Sequence, residues 1–273
     1  MKEFSNRVAV ITGGASGIGY AMAERFAAEG MKLAIADIHQ PSLDEAAAKL
    51  RAAGGGVLAQ RVDVADADQV DAFADRVYGE YGAVHVLCNN AGVATRQIPV
   101  WEHQLASWQW ILGVNLWGVI HGIHSFVPRM LAGGQEGHVV NTASMAGMVT
   151  GEANGGPYSA SKHAVVSISE SLYCEMKRDG AAISASVLCP GCVSTGIIAN
   201  SDHDAPVPSG FTGSMADIPA SFEPSFVASQ VFEAIRDDRF YILATQDDFL
   251  GWMKMRHDRI QDGRNPAVPR RRP

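Results

Sequence analysis

Short apolar runs rich in β-branched residues recur along the chain, each followed by a longer stretch whose apolar positions return every three or four residues. The runs are RVAVIT from Arg7, KLAIAD from Lys32, VLAQRVDV from Val57, VHVLCN from Val84, HVVNTAS from His138, ISASVLC from Ile183 and RFYIL from Arg239. Runs of this length, mostly apolar, read as strands buried on both faces, and the amphipathic stretches between them read as crossover helices. PSLDEAAAKLRAAG is one such helix: it opens with Pro41, carries acids in its first turn and stops at glycines. Right-handed crossovers between parallel strands then give an α/β fold, a doubly wound sheet of about seven strands flanked by helices. Ligands of such sheets bind beyond the carboxyl ends of the strands.

No Pro/Ser-rich linker or break in composition divides the chain before residue 195, and residues 1–262 read as one catalytic domain with 263–273 as a flexible basic tail. Residues 196–224 are rich in Gly, Pro, Ser and Asp without a convincing period, and they follow a strand end, which suggests a substrate lid.

Composition narrows the partners. The 273 residues are 47% hydrophobic, ample for a core, and the net charge of −7 argues against a general affinity for nucleic acid. The last ten residues hold four Arg and no acid, and without them 18 basic residues face 29 acidic ones. This tail reads as a solvated end, with docking on a partner subunit as the alternative. No apolar run nears the roughly 18 residues of a membrane helix, and the first strand begins too early for a cleavable leader. Four Cys do not make a disulfide framework. The expectation is a cytoplasmic protein with no nucleic-acid or membrane partner.

Candidate chemistry begins after the first strand, where TGGASGIG spans Thr12–Gly19 and supplies Gly13, Ser16, Gly17, Ile18 and Gly19 ahead of a helix. Glycines there allow a tight turn and bring backbone N–H groups to a pyrophosphate. The second strand ends at Asp37, whose carboxylate can accept from adenosine ribose hydroxyls and would repel a 2′-phosphate, so NAD is expected over NADP. Further on, Tyr158 and Lys162 stand at i and i+4 on one face of a helix.

With these residues stand the pair Asp63–Val64, NNAG at Asn89–Gly92, VNL around Asn115, Ser144 in NTASMAG and PGCVST at Pro190–Thr195. In that order the chain, from about residue 6 to 200, resembles the short-chain dehydrogenase/reductase family of about 250 residues. The resemblance implies a Rossmann-like domain, a nicotinamide cofactor and interconversion of an alcohol and its ketone. It implies that Asp63 and Val64 flank the adenine and that Asn90, Ala91 and Gly92 line the cofactor. Pro190, Gly191, Val193 and Thr195 would cover the nicotinamide end. It also assigns roles: Tyr158 as acid/base, Lys162 as its electrostatic and ribose-binding partner, Ser144 as the orienting group and Asn115 as holder of a relay water. A homodimer or homotetramer, paired through two apolar helix faces, follows from the resemblance alone.

The chemistry agrees with those roles. Hydride passes between carbon and cofactor, so the protein must handle the proton. Tyrosine, with a reference pKa near 10, is a poor base at neutral pH unless a nearby Lys⁺ favours its phenolate. The small residues Ser159, Ala160 and Ser161 read as clearance for the cofactor. Met145, Met148, Ile197 and Phe211 are expected to line an apolar substrate pocket suited to a cyclic or aromatic alcohol. CPGC at Cys189–Cys192 resembles a redox pair but lies at a strand end with no helix to activate a thiol. His121 and His124 lack a third ligand at metal-site spacing, so no metal is expected and packing is the simpler role. Two alternatives remain: a non-catalytic NAD-binding sensor, and an epimerase or dehydratase that retains its NAD.

Overall fold

In the computed structural model, which describes residues 1–94, 98–149, 155–206 and 221–267, β1 (Val8–Thr12) is buried at every position. It pairs in parallel with β2 (Lys32–Asp37) on one side and with β4 (Val86–Asn89) on the other. The sheet is completed by β3 (Val57–Arg61), β5 (Gly137–Thr142), β6 (Ile183–Leu188) and β7 (Tyr241–Ile242), in the order β3-β2-β1-β4-β5-β6-β7 with every pairing parallel. Strand order reverses between β1 and β4, so a crevice opens where their carboxyl ends diverge. β3 and β7 are shorter than their apolar runs: Val62–Val64 leave the strand for the cavity wall, and β7 keeps only the two residues that meet β6.

Helices cover both faces. α1 (Gly17–Ala28), α2 (Gln40–Ala52) and α8 (Pro224–Asp237) bury Phe26, Leu43, Leu50 and Val231 against one face. α3 (Ala67–Tyr81), α5 (Gly118–Gly133) and α6 (Gly156–Arg178) bury Phe73, Phe126 and Met176 against the other. Full burial of each large apolar side chain contributes roughly 1.5–3 kcal/mol, which is why the apolar periodicity decides the layers. α2 starts one residue before Pro41, capped by His39, and its acids fall beyond the first turn.

Two segments depart from expectation. α4 (Leu105–Leu112) runs through a π-helical turn, Gly113–Trp117, into α5, making a continuous helix from Leu105 to Gly133. At 29 residues with a window of mean hydropathy 1.3, it is long and apolar enough to cross a membrane, contrary to the reading of the runs. Here it packs alongside α3 and α6, and 44% of that window is buried within the fold. Within the aperiodic stretch, α7 (Ile197–Asp204) forms directly after the Pro190–Thr195 turn. The last helix is α9 (Asp247–Gln261), which has no buried residue.

Candidate active site

A cavity of about 520 Å³ fills the crevice beyond β1 and β4, within the range of small-molecule and cofactor sites. Its floor is the glycine loop. Gly13 and Gly17 adopt φ of +62° and +53°, the left-handed region that glycine enters without strain. Gly19 is there for close packing: a Cβ on it would stand 2.0 Å from the Gly13 carbonyl oxygen. The Thr12 hydroxyl accepts from the N–H groups of Asn90 and Ala91, at 3.0 and 3.1 Å, and the Asn90 amide donates to Thr12 O at 3.1 Å. These bonds sew the glycine loop to the NNAG turn across the switch point.

At one end of the cavity the Asp37 carboxylate accepts from the Ala15 and His39 N–H groups, both at 3.1 Å, which aims it along the glycine loop. Each carboxylate oxygen keeps a lone pair for a further donor. Among the described residues lining the cavity, Lys162 is the only lysine or arginine. Asp63 and Val64 line this end, joined by Trp110 and Val114 from the long helix. The i, i+4 partnership of Trp110 with Val114 on one helix face was the signal available.

At the other end stand Tyr158 and Lys162, in the first turns of α6. The Ser144 hydroxyl, which donates to Pro190 O at 3.5 Å, stands near enough to Tyr158 to lower its phenol, and Lys162 Nζ lies 5.7 Å from the centre of the Tyr158 ring. Lys162 is 3% exposed and donates to Thr142 O at 3.0 Å. Burial pushes its ammonium down to about 8, since a desolvated cation is disfavoured. Burial also raises the Tyr158 phenol above its ordinary value, an effect the neighbouring Ser144 hydroxyl partly offsets. The expected lowering of Tyr158 by Lys162 is therefore absent from the protein alone: at this separation desolvation dominates.

Asn115 sits fully buried in the π-helical turn, a common setting for functional residues. Its amide accepts from Val93 N at 2.8 Å and donates to Val93 O at 2.9 Å and Ser161 Oγ at 3.3 Å. Ser161 in turn donates to Tyr158 O at 2.7 Å, so it braces the helix and does not serve as clearance. Neither Ser159, Ala160 nor Ser161 lines the cavity. Gly92 joins the two groups: a Cβ there would stand 3.4 Å from Asn115 Oδ1 and 3.5 Å from Lys162 Nζ.

The remaining site residues divide clearly. Ser16, Ile18, Asn90, Ala91, Pro190, Thr195 and Ile197 line the cavity with those above, whereas Gly19, Gly191 and Val193 stand behind its wall. Met145 is a correction: it is 1% exposed, packed with Val119, Val165 and Val187 beneath the site. The Ser144 hydroxyl accepts from Ala146 N at 3.1 Å, starting a 3-10 turn that points Met145 inward. Met148 packs partly buried on the same cluster, and Phe211 lies outside the described residues. Cys189 is buried with its thiol pushed up to about 12, opposite to a reactive thiolate. His121 is partly buried and His124 exposed, and among the described residues no three His, Cys, Asp or Glu could hold a metal.

A glycine floor, an acid at the second strand end and a Tyr–Lys pair on the wall of one crevice, with Ser144 beside the tyrosine, fit a nicotinamide dinucleotide and define an oxidoreductase of the Rossmann type. Residues 7–206 match the short chain dehydrogenase family model, and the chain belongs to that family. It is 38% identical over 249 residues to 1-deoxy-11-beta-hydroxypentalenate dehydrogenase of Streptomyces exfoliatus, covering 90% of this chain and 85% of that one. It is 33% identical over 255 residues to C alpha-dehydrogenase of Sphingobium sp. SYK-6, covering 89% and 82%. A crystal structure of a short chain dehydrogenase/reductase from Burkholderia phymatum in complex with NAD superposes with a TM-score of 0.91 at 39% identity, over 99% of each chain.

Proposed function

We propose that the protein is an NAD-dependent dehydrogenase that interconverts a secondary alcohol and its ketone, with Tyr158 as the acid/base and an apolar, cyclic or aromatic substrate. The observation that carries this reading is Tyr158 and Lys162 lining a dinucleotide-sized cavity, with Lys162 Nζ 5.7 Å from the Tyr158 ring centre and Ser144 beside the phenol. Bound nicotinamide would accept or return the hydride. Tyr158 exchanges the hydroxyl proton, and Ser144 holds the substrate oxygen beside it. Lys162, when charged, works toward the phenolate against the desolvation that raises Tyr158. Asn115, close to Lys162 across Gly92, completes the group as the proton relay to solvent.

Preference for NAD rests on Asp37, whose charge opposes a 2′-phosphate, with no arginine among the described residues of the wall to receive it. The apolar substrate is supported by Ile197 and Val93 on the wall and by relatives whose names denote a hydroxypentalenate and a C alpha-dehydrogenase. Pairing into a homodimer or homotetramer through the α5 and α6 faces belongs to the same reading, supported by the exposed Trp117 and Leu131, as does a cytoplasmic location. The test is a panel of cyclic and aromatic secondary alcohols with NAD or NADP at alkaline pH. Net NADH formation with at least one alcohol, and little with NADP, is expected. Tight NADH binding without turnover of any alcohol or ketone would favour the sensor alternative.

A further inference from the structure

We propose that His121 is a positioning residue for the adenine half of the cavity, acting through the backbone of Val64. This rests on reading the cavity as a nicotinamide dinucleotide site. The connection between β3 and α3 gives Val62, Asp63, Val64 and Ala65 to the cavity wall, yet lies outside any strand or helix. Val62 N donates to Asp37 O at 3.0 Å, which ties the start of the connection to the end of β2; beyond Val62 its own hydrogen bonds are local. Asp63 N donates to Gln69 Oε1 at 3.0 Å, Ala65 N to Asp63 Oδ1 at 2.9 Å, and Asp66 N to Asp63 O at 3.1 Å. Those local contacts shape the loop without fixing where Val64 sits relative to the cavity.

That placement comes from α5, a helix distant in sequence. His121 Nδ1 lies 2.9 Å from the Val64 carbonyl oxygen. A carbonyl can only accept, so Nδ1 carries the hydrogen, and the bond survives in both the neutral ring and the imidazolium. Three residues earlier on the same helix face, a Cβ on Gly118 would stand 2.7 Å from Val64 Cγ2, so the α5 backbone lies directly against the Val64 side chain. Val64 is thus held from one helix at both its carbonyl and its side chain, and it is 6% exposed while still lining the cavity. Trp117 stands beside the imidazole, ring centres 5.8 Å apart. His121 touches neither the reacting groups nor Lys162. Its effect is confined to the wall on which the adenine lies.

The experiment compares His121→Phe with His121→Asn in the full chain. Asn places Nδ2 the same number of bonds from Cα as Nδ1 of histidine, so it restores the donor without the ring. Binding of ADP-ribose, which reports the adenosine half, and of nicotinamide mononucleotide, which reports the other half, is measured by titration calorimetry and competition, with kcat and KM for NAD. For H121F, loss of one hydrogen bond predicts roughly fivefold weaker ADP-ribose binding, a matching rise in KM for NAD, and unchanged kcat and mononucleotide binding. H121N is expected within about twofold of wild type. Unaltered ADP-ribose binding in H121F, equal weakening of both halves, or failure of H121N to rescue would overturn the role. Wild-type protein that binds no ADP-ribose would overturn the cofactor reading itself, and His121's role with it.

Discussion

Replacing Lys162 with methionine separates what the active site costs the fold from what it does. Lys162 is buried with its ammonium pushed down to about 8 from an ordinary 10.5, a burial penalty of about 3 kcal/mol at pH 7. Methionine removes that penalty at similar length but leaves Thr142 O without its donor, at roughly 1–2 kcal/mol. The net expectation is a gain of about 1–2 kcal/mol, or some 2–4 °C in Tm, with alcohol oxidation lost. The pH dependence is sharper. A lysine whose folded pKa is depressed destabilises fully below about 8, and the penalty fades as pH rises toward its unfolded value, because only the unfolded chain then holds the proton. Wild type should therefore gain about 2 kcal/mol relative to Lys162→Met between pH 7 and 9.5. Urea unfolding of both proteins without nucleotide, at those two pH values, measures it. Parallel pH dependences, or a variant less stable than wild type at pH 7, would refute the reasoning.

Asp37→Ala should raise NADP use relative to NAD by one to two orders of magnitude in kcat/KM, as expected when about 3 kcal/mol or less of repulsion is removed. An unchanged ratio would move cofactor selection elsewhere. Ala94 N donates to Ser201 Oγ at 2.8 Å, tying α7 across the cavity mouth. Ser201→Ala should release NADH roughly fivefold faster in a stopped-flow displacement assay while Ser201→Thr stays near wild type, and equal rates for all three would show that α7 does not hold the cofactor.

The sheet was legible because parallel strands buried on both faces must be apolar along their whole length, and seven runs gave seven strands. The glycine loop and the Tyr158–Lys162 pair were legible for a different reason: local backbone and helix spacing place them. What escaped depends on contacts between distant segments. The π-helical turn that buries Asn115 is closed by Val93, and α7 in a stretch without period is held by a bond to Ala94. Met145 misled because its position after Ser144 suggested the pocket, whereas the cap formed by the Ser144 hydroxyl reverses its direction. Tyr158's raised pKa follows from burial, a property of the assembled site that i, i+4 spacing cannot report. His121 looked like packing until its ring met the Val64 carbonyl.

The central claim is that Tyr158 moves the proton, and Tyr158→Phe tests it most directly because only the hydroxyl is removed. With a substrate found in the alcohol panel, NADH formation should fall by roughly a thousandfold while NADH binding, followed by fluorescence, stays within about twofold of wild type. A variant keeping a tenth or more of wild-type turnover would contradict the account.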